Sequence, residues 1–156
     1  MNPPPVPPHR ADGSETSRKR LRRETFPRSR RLLRANQFKQ VFENGRRSSS
    51  ASLRLVICPN TLDESRLGLA VSRRVSRHAV VRNRLKRQLR EIFRRAGDDI
   101  PGGLDIVVIP QAPALEMDFH ALKRHFLELL EAYVSRAARF GHGDPKRERA
   151  DRVRSR

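Results

Sequence analysis

The apolar residues of this chain recur at two spacings, one typical of helices and one typical of strands. Residues 118–140 carry apolar side chains three and four positions apart, and Asp118 can cap the helix that this spacing predicts. Residues 80–95 show the same periodicity and predict a second helix.

A shorter helix is predicted earlier in the chain, within the segment ANQFKQVFENG. Phe38, Val41 and Phe42 fall on one face of it. Asn36 can cap its start, and Gly45 can supply a left-handed stop.

Four segments carry the marks of strands. SLRLVICPN, residues 52–60, alternates between two faces and ends in a Pro-Asn turn. RLGLAVS, residues 66–72, predicts the next strand, and the short polar turn between the two predicts an antiparallel hairpin. LDIVVIP, residues 104–110, is continuously apolar, as expected of a central strand. RRSSS, residues 46–50, can add an edge strand.

The order helix, three strands, helix, strand, helix predicts an α+β fold. We expect a two-layer sandwich, in which three helices cover a small four-stranded mixed sheet. Residues 1–27 are rich in proline, charge and small polar groups, so we expect a disordered basic arm; residues 141–156 predict a similar tail. A single domain over residues 28–140 is expected between them.

The charge balance of the chain is strongly positive. Lys and Arg number 35 against 17 Asp and Glu, which gives a formal net charge of +18 at pH 7. This charge favours a polyanionic partner. Because no apolar run resembles a membrane span or a signal peptide, we expect a cytoplasmic protein whose partner is nucleic acid rather than a membrane. The single cysteine, Cys58, fits a reducing compartment and a place in the core.

The helix predicted over residues 80–95, VVRNRLKRQLREIFRR, has two different sides. Its apolar side, expected to pack on the sheet, carries Val81, Leu85, Leu89, Ile92, Phe93 and Ala96. Its other side is polar and cationic, with Asn83, Arg87, Arg90 and Arg94 at the centre and Arg84 and Lys86 at the edges.

Most of this positive charge has no partner within the helix. The one acid, Glu91, can pair with Arg87 or Arg95. The preceding loop adds Arg73, Arg74, Arg77 and His78.

A charged helix face is most often a solvated surface and nothing more. Solvated faces usually mix the two signs, however, because opposite charges one turn apart stabilise a helix and like charges destabilise it. This face does not mix them, and arginine, whose planar fork suits phosphate, outnumbers lysine. We therefore favour phosphate binding.

Several segments resemble the protein subunit of bacterial ribonuclease P. AVVRNRLKRQLRE is similar to the Arg-Asn-Arg signature that opens that family's basic helix. FPRSRRLLRANQFKQVFENG resembles its first helix, RLGLAVSRR its strand into the basic loop, and LDIVVIP its last strand. The resemblance runs in order from about Phe26 to Phe140, and it implies a left-handed βαβ crossover that carries the basic helix.

In that family the protein binds a large catalytic RNA, which removes the 5′ leader from precursor tRNA. The resemblance therefore implies a subunit of an endoribonuclease with no catalytic residue, protein-held metal or obligate protein partner of its own. The required Mg²⁺ would be bound mainly by the RNA. The pattern and the resemblance together predict these RNA-binding residues: Arg73, Arg74, Arg77, Arg82, Asn83, Arg84, Lys86, Arg87, Arg90 and Arg94.

The resemblance also implies a cleft for the leader between the first helix and the sheet, lined by Phe38, Phe42, Arg54 and Val56. Spacing alone favours the core for both phenylalanines, whereas the resemblance makes at least one a stacking surface for unpaired bases. Arg54 stands where the family is often aliphatic and Val56 where it is often aromatic. This departure favours a phosphate contact by Arg54 over stacking on that strand.

Other functions stay open at this point. A ribosomal or other structural RNA-binding protein would have the same charge and fold class, and a DNA-binding module would use the basic helix for recognition. An enzyme with its own catalytic groups is disfavoured. The acidic pairs at 63–64 and 98–99 lie in polar turns, and His120 and His125 do not share a helix face as two zinc ligands would.

Overall fold

The structure, a computed structural model, describes residues 26–140. The predicted order is confirmed, with the edge strand included. The tail and all but the end of the predicted arm lie outside the described residues. The elements are α1 (Ala35–Asn44), β1 (Arg46–Ser49), β2 (Leu53–Pro59), β3 (Arg66–Leu69), α2 (Ala79–Ala96), β4 (Leu104–Pro110) and α3 (Phe119–Phe140).

The four strands form one mixed sheet in the order β1-β2-β4-β3. β4 pairs antiparallel with β2 and parallel with β3, so the predicted β2–β3 hairpin is wrong. β4 lies between β2 and β3 because its sequence is apolar throughout, and a strand that is buried on both faces belongs at the centre of a sheet. α2 is the crossover between the parallel strands β3 and β4.

The predicted α+β fold, with three helices and a four-stranded mixed sheet, is confirmed. The helices cover both faces of this sheet, so a third layer joins the two that were expected. Leu55 and Ile106 belong to a large core under α2 and α3. Val56 and Val107, one residue further along each strand, point the other way and pack with Val41 of α1. A third layer is needed because β2 and β4 are apolar on both faces.

α1 begins and ends differently from the prediction. The Gln37 side-chain oxygen accepts hydrogen bonds from the backbone N–H groups of Leu33 and Arg34, at 2.9 and 3.0 Å, so Gln37 and not Asn36 caps the start. Gly45 has φ −80°, which is not left-handed. A Cβ there would lie 2.7 Å from Val56 Cγ1, so this glycine is required for close packing on β2.

A buried polar cluster fixes the place of β3 beside β4. Asp105 of β4 is 6% exposed and accepts two hydrogen bonds from Arg66 of β3, from Nε at 2.8 Å and Nη2 at 2.6 Å. Asn60 Nδ2 donates to the same carboxylate at 2.7 Å. Because Arg66 is tied to the central strand through its side chain, the register of the parallel pair is anchored at this end.

The start of α3 confirms its predicted cap. The backbone N–H of Ala121 donates to Asp118 Oδ1 at 2.7 Å, and this hydrogen bond lowers the pKa of Asp118. The acidic pair at 63–64 lies in the loop between β2 and β3, as predicted, whereas the pair at 98–99 lies in a single turn of 3-10 helix, Gly97–Asp99, directly after α2.

Candidate nucleic-acid interface

α2 packs by one side and exposes the other, as its periodicity predicted. Leu85, Leu89, Ile92, Phe93 and Ala96 are each at most 2% exposed. The predicted apolar member Val81, near the start of the helix, is partly exposed. Of the polar side, Asn83, Arg84 and Arg87 are exposed, and Arg82, Lys86, Arg90 and Arg94 are partly exposed.

Among residues 26–140, the ion pairs that α2 forms lie in its last turns. Glu91 accepts from Arg94 Nη2 and from Arg95 Nε, each at 2.6 Å. These partners, Arg94 first, lower the pKa of Glu91 to about 2. The predicted Arg95 pair is confirmed, whereas the alternative pair with Arg87 does not form, because an acid pairs better with a base that follows it by one turn. Arg94, a predicted RNA contact, therefore already has an acid partner.

The loop before α2 is held in place by the first arginine of the Arg-Asn-Arg motif. Arg82 Nη1 donates to the backbone carbonyls of Ser76 and Arg77, at 2.8 Å each. Val75, 8% exposed, anchors the middle of the loop in the core. Arg82 thus contacts the protein itself, a role that the motif alone did not reveal.

The loop and the start of α2 enclose an open concavity of about 970 Å³. In the described part of the chain, its lining contains four arginines and no acid: Arg73, Arg74, Arg77 and Arg82, with Ser76 and Ala79. Within residues 26–140 none of these arginines forms an ion pair. We call Arg73, Arg74, Arg77, Arg82, Asn83, Arg84, Lys86, Arg87 and Arg90 the basic surface.

The predicted leader cleft is only partly accessible. Phe42 is 38% exposed and Arg54 is exposed. Phe38 is half-buried, since it packs over Gly68, where an added Cβ would lie 2.8 Å from the phenylalanine ring. Val56 is 1% exposed, so the prediction that it contacts the leader is wrong; it packs in the core beneath α1.

Sequence reasoning missed Arg47 at this cleft. Arg47 of β1 pairs with Val56 of β2, so the two side chains lie on the same face of the sheet. Arg54 precedes Val56 by two residues in β2 and therefore shares that face. Both arginines thus lie on the face that α1 covers. The sequence RRSSS does not show on which face of the sheet Arg47 lies, because that depends on how β1 pairs with β2.

The described part of the chain contains neither a candidate metal site nor a helix that could span a membrane. Between residues 26 and 140 no group of three or more His, Cys, Asp or Glu side chains could hold a metal ion. None of the helices there is both long and apolar enough to cross a membrane.

Comparisons with known proteins agree on one family. The family model described as Ribonuclease P matches residues 26–134. The ribonuclease P protein component of Methylococcus capsulatus is 44% identical over 108 residues, which cover 67% of this chain and 84% of that protein. Among solved structures, the ribonuclease P protein of Thermotoga maritima is 38% identical with a TM-score of 0.61, covering 65% of this chain and 96% of its own. That of Staphylococcus aureus is 28% identical with the same TM-score, covering 67% and 94%.

Proposed function

Because the chain belongs to the bacterial ribonuclease P protein family, and so to an endoribonuclease that processes tRNA, we propose that it binds the catalytic RNA of that enzyme and the 5′ leader of precursor tRNA. The observation that carries this proposal is the basic surface, which has no acid partner within the described residues. Cations held together without counter-charges favour a polyanion, and arginine forks suit its phosphates.

In this proposal the two sides of the protein have different tasks. The basic surface neutralises phosphates of the catalytic RNA and fixes its position on α2. On the opposite face of the sheet, Phe42 and the exposed edge of Phe38 stack on unpaired leader bases, while Arg54 and Arg47 contact leader phosphates. The protein thus holds two RNA strands, which repel one another, in one place.

Bond cleavage is assigned to the RNA together with Mg²⁺ that the RNA mainly holds. The acids among residues 26–140 do not fit a metal site, so no step is assigned to a metal bound by them. We also place the complex in the cytoplasm, with no obligate protein partner.

Reconstitution tests the proposal directly. The full chain is mixed with a bacterial ribonuclease P RNA at low Mg²⁺, and leader removal from precursor tRNA is followed with time. Stimulation over the RNA alone is expected. RNA binding without stimulation would instead indicate a structural RNA-binding protein, and preferential displacement of the RNA by duplex DNA would indicate a DNA-binding module.

A further inference from the structure

A small groove separates the basic surface from the aromatic residues of α1. It has a volume of about 140 Å³ and lies between the segment before α1, β3 and α2. Its charged lining consists of Arg31, Lys86 and Arg90. The remaining lining is apolar and includes Leu33, which is 51% exposed, and Phe38. We call it the junction groove.

Arg31 is placed in the groove by its backbone. The N–H of Leu32 donates to the carbonyl of Leu67 at 2.9 Å, so the segment runs beside the edge strand β3. Arg31 Nη2 donates to the carbonyl of Phe26 at 2.6 Å, and its guanidinium lies 5.0 Å from the Phe26 ring centre. One face and one nitrogen of the guanidinium are therefore used within the protein.

Another nitrogen of the same group is not used. Arg31 Nε is buried and finds no hydrogen-bond partner among residues 26–140. Buried donors are almost always paired, so an orphan of this kind calls for an explanation. An anion bound in the groove, which Arg31 itself lines, would supply an acceptor once the side chain shifts enough to bring Nε to the groove surface.

The charges around the groove point to the sign of that ligand. Lys86 and Arg90 are one turn apart on α2, and none of the acids within residues 26–140 lines the groove. Burial, together with the guanidiniums of Arg31 and Arg87, lowers the pKa of Arg90. These like charges repel one another in the free protein, and an anion between them would relieve that repulsion.

We propose that the junction groove binds one phosphate of single-stranded RNA through Arg31, Lys86 and Arg90, with the attached nucleoside against Leu33 and Phe38. An apolar wall beside the cations favours a nucleotide whose base is unstacked, which a duplex cannot offer. The inference rests on the proposed function and adds to it a binding residue, Arg31, at the boundary between the surface for the catalytic RNA and the cleft for the leader.

Nuclear magnetic resonance of the arginine Nε–H groups tests the site with simple probes. Inorganic phosphate, and separately uridine 5′-monophosphate, are titrated into the full chain at constant ionic strength. A saturable shift of the Arg31 Nε–H signal is expected, with tighter binding of the nucleotide than of phosphate. The reference is Arg136, an exposed arginine of α3. No saturable shift at Arg31, or the same shift at Arg136, would overturn the proposal; equal affinities for the two probes would remove the nucleoside part.

Variants separate the site from the general attraction of a basic protein for anions. Lys86→Ala should weaken phosphate binding at Arg31 by about tenfold, since a charge-assisted contact is lost. Lys123→Ala removes the same charge from α3, where the side chain is also partly exposed, and should change little. Arg31→Lys keeps the charge but lacks Nε, and it should also weaken binding. Equal effects of Lys86→Ala and Lys123→Ala would contradict a defined site.

The outcome is distinguishable from failure of the proposed function. If the chain stimulates leader removal but Arg31 shows no saturable shift, the groove is not a phosphate site and the function stands. If Arg31 binds phosphate but reconstitution fails, the site stands and its RNA belongs to another process.

Discussion

Arg66 and the arginines of the basic surface have the same side chain in opposite surroundings. Arg66 donates two hydrogen bonds to the buried carboxylate of Asp105, and its pKa is raised chiefly by that hydrogen bond. Arg84 and Arg87 are exposed and have no acid partner among residues 26–140. A paired guanidinium stabilises the fold, whereas an unpaired one is available to an external anion. The partner, and not the residue type, separates structural from functional charge.

The largest expected difference between the basic surface and the Arg66–Asp105 pair is in their response to salt. If six to ten phosphates are neutralised, affinity for the catalytic RNA should fall by roughly three to five decades between 50 and 200 mM salt. The free protein should lose no stability over the same range, because a buried pair such as Arg66–Asp105 is screened much less than exposed charges, and salt also screens the repulsion within the basic surface. Binding isotherms and urea unfolding at the same salt concentrations measure both. A nearly flat binding response would contradict phosphate contact.

Asp105→Ala should have the largest effect on stability. It leaves Arg66, only 19% exposed at its side chain, without its charge partner, and removing one member of a buried pair costs about 3–5 kcal/mol. Arg84→Ala is the matched control and should stay within about 0.5 kcal/mol of the parent. Chemical denaturation measures both. Equal destabilisation by Asp105→Ala and Arg84→Ala would show that an acid partner does not decide whether an arginine stabilises the fold.

Removing two exposed arginines should affect binding and leave folding intact. The double variant Arg84→Ala/Arg87→Ala loses two proposed phosphate contacts, so the slope of log affinity against log salt should fall by about two. The opposite side of α2, with Leu85 and Leu89, keeps its packing. Salt-dependent RNA binding and a melting curve provide the test. Loss of cooperative unfolding in this variant would indicate a structural role for the charges.

Arg82 belongs to the basic surface but also has a structural role, because it donates hydrogen bonds to the carbonyls of Ser76 and Arg77. If it positions the loop, Arg82→Ala should reduce the salt slope by more than the single contact that Arg84→Ala removes. In a double-mutant cycle, Arg82→Ala and Arg77→Ala should show a coupling of about 0.5–3 kcal/mol in RNA binding. Additive effects would show that Arg82 acts as a contact and not through the loop.

Residues near one another in sequence were predicted better than residues brought together by the sheet. The two sides of α2 and the Asp118 cap follow from local spacing, and both are confirmed. The insertion of β4 between β2 and β3 depends on competition among strands, which a local turn signal cannot resolve. Val56 was misplaced for the same reason, since its burial depends on α1 crossing that face.

Arg31 and Arg47 were missed because their partners are distant in sequence. Arg31 reaches the junction groove only because its segment runs beside β3. Arg47 takes its face from pairing with β2. Composition could indicate that the chain binds a polyanion, but only the register of the strands could show which arginines share a surface.

The smallest expected effect is the loss of the Glu91 charge. Glu91 pairs with Arg94 and Arg95, so the arginines in the last turns of α2 are structural, as Arg66 is. The pKa of Glu91 is about 2 in the folded protein against an ordinary value of 4.5, mainly because of the Arg94 hydrogen bond. A lowered pKa means that the stabilisation is present above pH 4.5 and is lost as the pH falls towards 2. The side chain is 34% exposed, so solvent screening limits the effect to about 0.5–1 kcal/mol.

The free energies of urea unfolding of the parent and of Glu91→Gln should differ by that amount at pH 6, and the difference should shrink between pH 4.5 and 2. Comparing the two proteins cancels the titration of the other carboxylates. A difference that is constant with pH would mean that the charge of Glu91 is not what stabilises the last turns of α2.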